Sequence, residues 1–132
     1  MDMVRVLVVD DEEIFREAMA RVVTATAGFV VVGSATTGEE SLTVAGSARP
    51  DLVLMDVNLP GIDGTEATRM LRSADLRPIV LLLSTYDEGD VDYFSCGAAG
   101  YIAKAAFGSD RLAEAWVSAI GRADPDGFKE LP

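Results

Sequence analysis

The chain has 132 residues, with 22 acidic and 11 basic side chains and a formal net charge of −11. This excess of negative charge disfavours direct binding to DNA or to an anionic membrane, whose phosphates would repel the chain. One cysteine and no histidine are present, which excludes an internal disulfide, zinc sites built from cysteine or histidine, and catalysis by a histidine base.

Length and hydropathy predict one globular domain outside the membrane. Hydrophobic residues make up 49% of the chain and charged residues 25%, proportions that are ordinary for a globular fold. The apolar runs, such as residues 80–83, are far shorter than the roughly 18 residues that span a bilayer. Because the N-terminus enters a strand-like pattern without the layout of a signal peptide, we expect a cytoplasmic location.

Short apolar runs alternate with segments of helical period in the first half of the chain. Residues 4–9 predict a buried strand, and apolar side chains from Ile14 to Val23 then recur at i and i+4, as on one face of a helix. Residues 29–35 predict the second strand. A capping box opening at Thr37 predicts a helix, which must end before the proline at position 50.

The same alternation continues after residue 50. The third strand is predicted over residues 51–56, followed by a loop of turn residues over 58–64 and a helix capped by Asp63. The fourth strand is predicted over residues 78–84 and the fifth over residues 100–104. Five strand–helix units with apolar strands predict a parallel sheet covered by helices on both faces.

Two segments near the C-terminus have weaker patterns. The stretch between the fourth and fifth strands contains Gly89 and Gly97 and predicts only a short fourth helix. Ser109 predicts the start of a last helix, whose apolar stripe runs from Leu112 to Ile120. The residues beyond it are polar and broken by proline and glycine. We therefore assign residues 1–121 to the domain and 122–132 to a linker or tail.

Polar side chains stand at the carboxyl ends of four predicted strands, which is where doubly wound sheets form their functional crevice. They are Asp10 and Asp11 after the first strand, Asp56 at the end of the third, Ser84 and Thr85 at the end of the fourth, and Lys104 at the end of the fifth. Three neighbouring carboxylates cannot all stay ionised without a cation. Hard oxygen ligands of this kind suit Mg²⁺ or Mn²⁺.

The acidic first turn distinguishes this chain from nucleotide-binding domains of similar architecture. Those domains carry a glycine-rich turn that cradles phosphate, whereas residues 10–13 are all acidic here. The carboxylate of Asp56 can instead act as a nucleophile that accepts a phosphoryl group. The ammonium of Lys104 and the hydroxyl of Ser84 are then available to contact phosphoryl oxygens.

The sequence resembles the CheY-like receiver domain of two-component response regulators. The matching pieces occur in the expected order and are VLVVDDEE, DLVLMDVNLPGIDG, IVLLLSTYDE and GYIAK. The residues in these motifs are most similar to those of the NarL/LuxR-type subfamily, in which a helix-turn-helix domain usually follows the receiver. The resemblance implies an α/β, doubly wound, flavodoxin/CheY-like fold with five parallel strands in the order 2-1-3-4-5.

The resemblance also implies a role for each residue of the site. Asp56 would be the phosphoacceptor, Lys104 the phosphate contact, Ser84 the switch hydroxyl and Tyr101 the aromatic switch. Alternation along the fourth strand favours Ser84 over Thr85. The ligands of Mg²⁺ or Mn²⁺ would be Asp10, Asp11, Asp56 and the backbone carbonyl of Asn58.

The implied function is a switch that controls transcription. A sensor histidine kinase or a small donor such as acetyl phosphate would supply the phosphoryl group, and the chain itself would have at most self-phosphorylation and self-dephosphorylation activity. A homodimer would form through the face of the fourth helix, fifth strand and last helix, or through the region of the first and last helices. The alternative is a receiver-like interaction module that acts without phosphorylation.

The sequence near the site departs from the family in two ways, and it also argues against one alternative function, that of a phosphatase. The segment from Ser84 to Lys104 is slightly short for the family, which is a second indication of a short fourth helix. Tyr86, a bulky side chain near the site, leads to the hypothesis of slow self-dephosphorylation. A phosphatase with an aspartyl nucleophile would need an acid two positions after Asp56, where this chain has Asn58.

Overall fold

A five-stranded sheet organises the computed structural model, which describes residues 2–75, 77–85 and 93–123. The elements, in chain order, are β1 (Val4–Val9), α1 (Glu13–Ala25), β2 (Phe29–Ala35), α2 (Gly38–Ala48), β3 (Leu52–Asp56), α3 (Gly64–Ser73), β4 (Ile79–Ser84), β5 (Gly100–Ala103) and α4 (Ser109–Ala123). In this part of the chain, no helix is both long and apolar enough to cross a membrane.

The strands lie in the order β2-β1-β3-β4-β5 and all neighbouring pairs are parallel. The chain moves outward from β1 to β2, returns past β1 to β3, and then continues to β4 and β5. The strand order therefore reverses between β1 and β3, and a crevice forms at the carboxyl ends of these two strands. This topology confirms the predicted doubly wound fold.

Two hydrophobic cores cover the two faces of the sheet, as the apolar strands predict. One core joins the sheet to α2 and α3, and it includes Leu7, Val53 and Leu82. The other joins the sheet to α1 and α4, and it includes Val8 and Leu54. Successive strand residues alternate between the two cores because side chains of a strand point to opposite faces.

Both predicted helix caps are formed. The hydroxyl oxygen of Thr37 accepts a hydrogen bond from the backbone N–H of Glu40 at 2.9 Å, and the Glu40 carboxylate accepts one from the N–H of Thr36 at 2.7 Å. The Asp63 carboxylate accepts a hydrogen bond from the N–H of Glu66 at 2.9 Å, and this bond holds the pKa of Asp63 below its usual value. These caps fix the starts of α2 and α3.

Gly64 allows α3 to begin directly beside the end of β3. Its N–H donates to the carbonyl of Val57 at 2.8 Å. A Cβ atom at position 64 would lie 2.1 Å from the carbonyl oxygen of Asp56, which is far shorter than a van der Waals contact. Because the clash would be with backbone, a larger residue would force Asp56 or α3 to move. Glycine is therefore required for this close approach.

Some details differ from the sequence predictions. β3 and β4 each begin one residue late, at Leu52 and Ile79, and β5 ends at Ala103. Ile14 and Ile120, which the helical pattern placed on the inner stripes, have 82% and 42% of their surface exposed. The first half of the segment predicted to hold the fourth helix lies outside the described ranges. Within those ranges, the helical structure between β4 and β5 is one 3-10 turn at Phe94–Cys96.

Residues 122–132, predicted to be a linker or tail, are only partly described. α4 extends to Ala123, two residues past the assigned domain boundary. The rest of the predicted tail lies outside the described residues, so the assignment of the tail stays a prediction.

Candidate functional site

The charged residues of the predicted site lie around a cleft at the carboxyl ends of β1, β3 and β5. Asp10 follows β1, Asp56 is the last residue of β3, and Lys104 follows β5. The cleft has a volume of about 250 Å³ and is lined by Asp11, Glu12, Asp56, Asn58, Thr85 and Lys104. The crevice expected from the strand order is therefore polar and strongly charged.

The two-residue period of the strands brings the carboxylates together. Val8 in β1 and Leu54 in β3 belong to the core on the α1 and α4 side of the sheet. Asp10 and Asp56 each come two residues later, so the alternation continues onto the same side. Val9 and Met55 are paired in register. Asp10 and Asp56 directly follow them, so the two acidic residues lie side by side at the carboxyl edge of the sheet.

Three carboxylates form a compact group in which one oxygen each of Asp10, Asp11 and Asp56 lies within 4.8 Å of the others. Asp10 is fully buried and Asp56 is 3% exposed, whereas Asp11 faces solvent. Burial raises the pKa of Asp56 to about 6, and the negative charge of Asp10 adds to this effect. Both causes disfavour the ionised carboxylate in the absence of a cation.

Lys104 partly compensates this charge. Its ammonium lies 2.9 Å from Oδ2 of Asp10 and 3.4 Å from Oδ1 of Asp56. Burial lowers the pKa of Lys104, but the hydrogen bond that its ammonium donates to Asp10 and the attraction of Asp56 outweigh burial, so the pKa lies above its usual value. The ammonium is therefore held in its charged form.

The donor set fits a divalent cation. One ammonium faces three carboxylates, which leaves two negative charges uncompensated, the charge that one divalent ion neutralises. The ligand atoms are carboxylate oxygens, which suit Mg²⁺ and similar hard ions. The structure therefore provides an acidic group of residues that could hold such a metal.

Backbone N–H groups orient two of these carboxylates. Oδ1 of Asp10 accepts a hydrogen bond from the N–H of Glu12 at 2.9 Å. Oδ1 of Asp56 accepts one from the N–H of Asn58 at 3.3 Å. Asn58 therefore contacts Asp56 through its N–H, while the role of its carbonyl as a metal ligand stays a prediction.

The two hydroxyl residues at the end of β4 differ in position. Ser84 is fully buried, whereas Thr85 is exposed and lines the cleft. Ser84 is paired in register with Ala103, which directly precedes Lys104. The choice of Ser84 as the switch hydroxyl stays a prediction, and Thr85 is its neighbour on the cleft side.

Tyr101 lies inside the protein. It is 3% exposed and belongs to the core on the α2 and α3 side of the sheet, as does Leu82. Its ring stacks on that of Tyr93, with centroids 6.2 Å apart and an interplanar angle of 25°. By strand alternation, Ser84 follows Leu82 on this same side. The two predicted switch residues therefore share one face of the sheet.

Two residues of α1 contact the site although the sequence patterns did not single them out. The ammonium of Lys104 lies 4.2 Å from the ring centroid of Phe15. Nη1 of Arg16 donates to the backbone carbonyl of Asp10 at 2.9 Å. A cation shortly after the Asp10–Asp11 pair was a possible signal for Arg16, whereas Phe15 fitted the apolar period of the helix and gave none. Tyr86, the basis of the dephosphorylation hypothesis, lies outside the described residues.

Comparison with protein families gives a match over most of the chain. Residues 6–116 match the family described as the response regulator receiver domain. Response regulator GacA of Pseudomonas viridiflava is 45% identical over 106 residues, which make up 79% of this chain and 50% of GacA. Response regulator UvrY of Escherichia coli is 39% identical over 106 residues, or 79% of this chain and 49% of UvrY. The chain thus spans about half the length of the curated relatives it matches.

Solved structures give the same result. The signal receiver domain of a response regulator named NarL from Mycobacterium tuberculosis has a TM-score of 0.83 and 34% identity, and the match covers 92% of this chain and 100% of that domain. A two-component response regulator of the LuxR family from Aurantimonas sp. SI85-9A1 has a TM-score of 0.81 and 30% identity, with 91% and 87% of the two chains covered.

Proposed function

The chain belongs to the response regulator receiver domain family, with NarL- and LuxR-type relatives, and we propose that its switch is phosphorylation of Asp56. The observation that carries this proposal is the environment of the Asp56 carboxylate. It ends a buried strand, lies within 4.8 Å of two other carboxylates, and has the ammonium of Lys104 at 3.4 Å. A phosphoryl group placed there would face a cation on one side and a metal-binding group on the other.

The reaction is a transfer from a phosphorylated donor to the Asp56 carboxylate. A carboxylate oxygen forms a new bond to phosphorus while the bond from phosphorus to the leaving group breaks. The electron pair of that bond leaves with the donor, which is a histidine imidazole of a sensor kinase or the acetate of acetyl phosphate. The product is an acyl phosphate on Asp56, formed by the chain's own residues without a separate catalyst.

Lys104 contributes charge at the point where the phosphoryl group arrives. Its ammonium is already next to an Asp56 oxygen, so it can contact a phosphoryl oxygen without a large movement of its backbone. The pKa of Lys104 is raised, so the ammonium stays protonated at neutral pH. A charge-assisted hydrogen bond of this kind is stronger than one between neutral groups.

The acidic group would hold Mg²⁺ or Mn²⁺ through Asp10, Asp11 and Asp56, with the backbone carbonyl of Asn58 as a further ligand. When bound, the metal ion would neutralise charge on the phosphoryl oxygens. Asp10 is fully buried and shares Lys104 with Asp56, so before phosphorylation it helps to hold the lysine beside the phosphoacceptor.

The conformational change would start from the added charge. Phosphorylation adds about two negative charges at Asp56, which favours a state in which the Ser84 hydroxyl donates to the phosphoryl group. Tyr101 would respond because it shares a face of the sheet with Ser84 and is packed inside the core. The response is a shift in the populations of two states rather than a new fold.

Replacing Ser84 by alanine is expected to leave phosphorylation of Asp56 largely intact but to remove most of the conformational response. The hydroxyl would link the phosphoryl group to β5, and alanine has no donor. The measurement is the set of backbone NMR shifts in β5 before and after addition of acetyl phosphate with Mg²⁺, while intact mass reports the phosphorylated fraction.

The matched control for Ser84 is Thr85→Ala, which removes a hydroxyl from the neighbouring residue that lines the cleft. We expect Thr85→Ala to keep the shifts in β5. If Thr85→Ala removes the shifts and Ser84→Ala keeps them, the switch hydroxyl belongs to Thr85.

The partners that follow from this function are a sensor histidine kinase as donor and a transcriptional output. We propose that the output is exerted by a DNA-binding domain outside this chain, because a helix-turn-helix domain usually follows the receiver in the NarL/LuxR-type subfamily and the curated relatives are about twice as long as the matched part. The net charge of −11 disfavours direct binding of DNA by the receiver itself. A cytoplasmic location belongs to the same proposal.

Self-association through the region of α1 and α4 is the dimer mode that we propose. Ile14, Val117 and Ile120 on these helices are 82%, 65% and 42% exposed. With acetyl phosphate and Mg²⁺ present, Val117→Asp is expected to weaken self-association at least about tenfold, because it would bury a charge in the contact. Sedimentation velocity over a range of concentrations measures this.

The control for the dimer is Val30→Asp, which places the same charge at a 37% exposed valine of β2. Equal weakening by both variants, or a wild-type chain that stays monomeric after phosphorylation, would contradict the α1 and α4 mode. The other predicted face includes the segment between β4 and β5, part of which lies outside the described residues.

A further inference from the structure

The ring of Phe15 lies against the ammonium of Lys104, with the nitrogen 4.2 Å from the ring centroid. Phe15 is in the first turn of α1, is partly buried, and packs against the core on the α1 and α4 side of the sheet. A cation at this distance from an aromatic face is attracted by the negative charge of that face. The contact joins α1 to a residue that follows β5.

Lys104 has little support from its own backbone. It begins a three-residue 3-10 turn, Lys104–Ala106, in which the two alanines are exposed. A lysine side chain has four rotatable bonds, and it loses considerable conformational entropy when it is held in one position. The position of the ammonium must therefore come from the groups around it, which are Asp10, Asp56 and Phe15.

These three neighbours differ in what happens to them during the proposed reaction. Asp10 and Asp56 are both members of the acidic group that could hold a metal, and Asp56 is also the proposed phosphoacceptor. Each carboxylate therefore exchanges partners as the metal and the phosphoryl group arrive. The ring of Phe15 can bind neither, so its contact with Lys104 can persist through every step.

We propose that Phe15 is a positioning residue whose ring holds the Lys104 ammonium over the cleft while Asp10 and Asp56 change partners. The inference rests on the proposed function. It predicts that the electron density of the ring, and not only its size, affects the rate at which Asp56 is phosphorylated. A residue that merely packed against the core would be insensitive to the electron density of its ring.

The contact itself can be tested without phosphorylation. A proton near the face of an aromatic ring is shifted upfield, so the ε-methylene protons of Lys104 should lie upfield in the wild-type chain and return to ordinary values in Phe15→Leu. Phe29→Leu is the control, since Phe29 belongs to the same core and its described ring contact is with Trp116. An unshifted Lys104 in the wild type would overturn the inference.

The positioning role is tested by replacing Phe15 with mono-, di- and trifluorinated phenylalanine, which keeps the shape but weakens the attraction for a cation. The rate of Asp56 phosphorylation by acetyl phosphate with Mg²⁺ is expected to fall stepwise, by about threefold over the series. The melting temperature is expected to stay nearly constant. The same series at Phe29 should leave the rate unchanged.

The outcomes separate the inference from the proposed function. A wild-type chain that gains no phosphoryl group would overturn the proposed function and this inference with it. A wild-type chain that is phosphorylated normally, with a flat rate across the fluorinated series at Phe15, would overturn the positioning role alone. An equal fall in rate for the series at Phe15 and at Phe29 would also overturn it, because it would indicate a general effect on the core.

Discussion

Replacing Asp56 by asparagine is expected to abolish the mass increase that acetyl phosphate and Mg²⁺ produce on the wild-type chain. The amide of asparagine is neutral and a weak nucleophile, so it cannot form the acyl phosphate. The substitution nearly preserves the shape of the side chain, which ends β3 and is 3% exposed. Intact-mass spectrometry, with wild type and variant at equal concentration, measures the effect directly.

The control for this experiment is Asp75→Asn, which makes the same chemical change at an exposed position beyond the end of α3. We expect it to gain the phosphoryl group at the wild-type rate. An adduct of equal size on Asp56→Asn would show that another residue is the acceptor. If the wild-type chain gains none, the alternative of an interaction module that works without phosphorylation becomes the better explanation.

The same substitution is expected to stabilise the metal-free protein at neutral pH. The pKa of Asp56 is raised from 3.8 to about 6, first by burial and then by the charge of Asp10. A carboxyl with a raised pKa binds its proton more tightly in the folded state than in the unfolded state. Its unfavourable contribution is therefore absent below about pH 4, grows between about pH 4 and pH 6, and stays constant at higher pH.

For a shift of this size, Asp56→Asn should increase the free energy of unfolding by about 2 kcal/mol at pH 7.5. The attraction between Asp56 and Lys104, whose atoms lie 3.4 Å apart, is already contained in the raised pKa, and the figure is reduced from the full conversion of about 3 kcal/mol because solvent in the open cleft screens the charges. Urea unfolding in the presence of a chelator, at pH 7.5 and again near pH 4, measures the difference. The gain should nearly vanish at the lower pH, where the carboxyl of the wild type is protonated.

Addition of Mg²⁺ provides the control for this stability effect. A ligand that binds only the folded state stabilises it in proportion to the logarithm of its concentration, and Asp56 belongs to the group that would hold the ion. Mg²⁺ should therefore stabilise the wild type more than Asp56→Asn. A variant that is less stable than the wild type in chelator at pH 7.5 would contradict the argument from burial and charge.

The sequence by itself determined the sheet and the set of charged residues at its edge. Short apolar runs that alternate with segments of helical period indicate a parallel sheet covered by helices on both faces, and the carboxyl ends of parallel strands meet at one edge. The placement of Asp10, Asp56 and Lys104 around one cleft follows from these two facts together with the strand order that the resemblance implied. The caps at Thr37 and Asp63 were predictable for a related reason, because each depends on a backbone group only three residues away.

Other features were decided only by the tertiary structure. Ile14 and Ile120 fit the apolar period of their helices, yet both are exposed, because periodicity gives the direction of a side chain but not the extent of the surface that covers it. The requirement for glycine at position 64 comes from the carbonyl of Asp56, eight residues earlier in the chain. Its role depends on how closely α3 approaches the end of β3.

The contact between Phe15 and Lys104 is the clearest example of what the fold adds. Its two partners are far apart in the chain, and no local pattern relates an aromatic residue in a first helical turn to a lysine after the fifth strand. The same limit applies to Ser84 and Thr85, whose different burial depends on how β4 meets the cleft. Patterns over a few residues determine strands, helices and caps, whereas contacts between distant elements depend on packing that is settled only when the chain has folded.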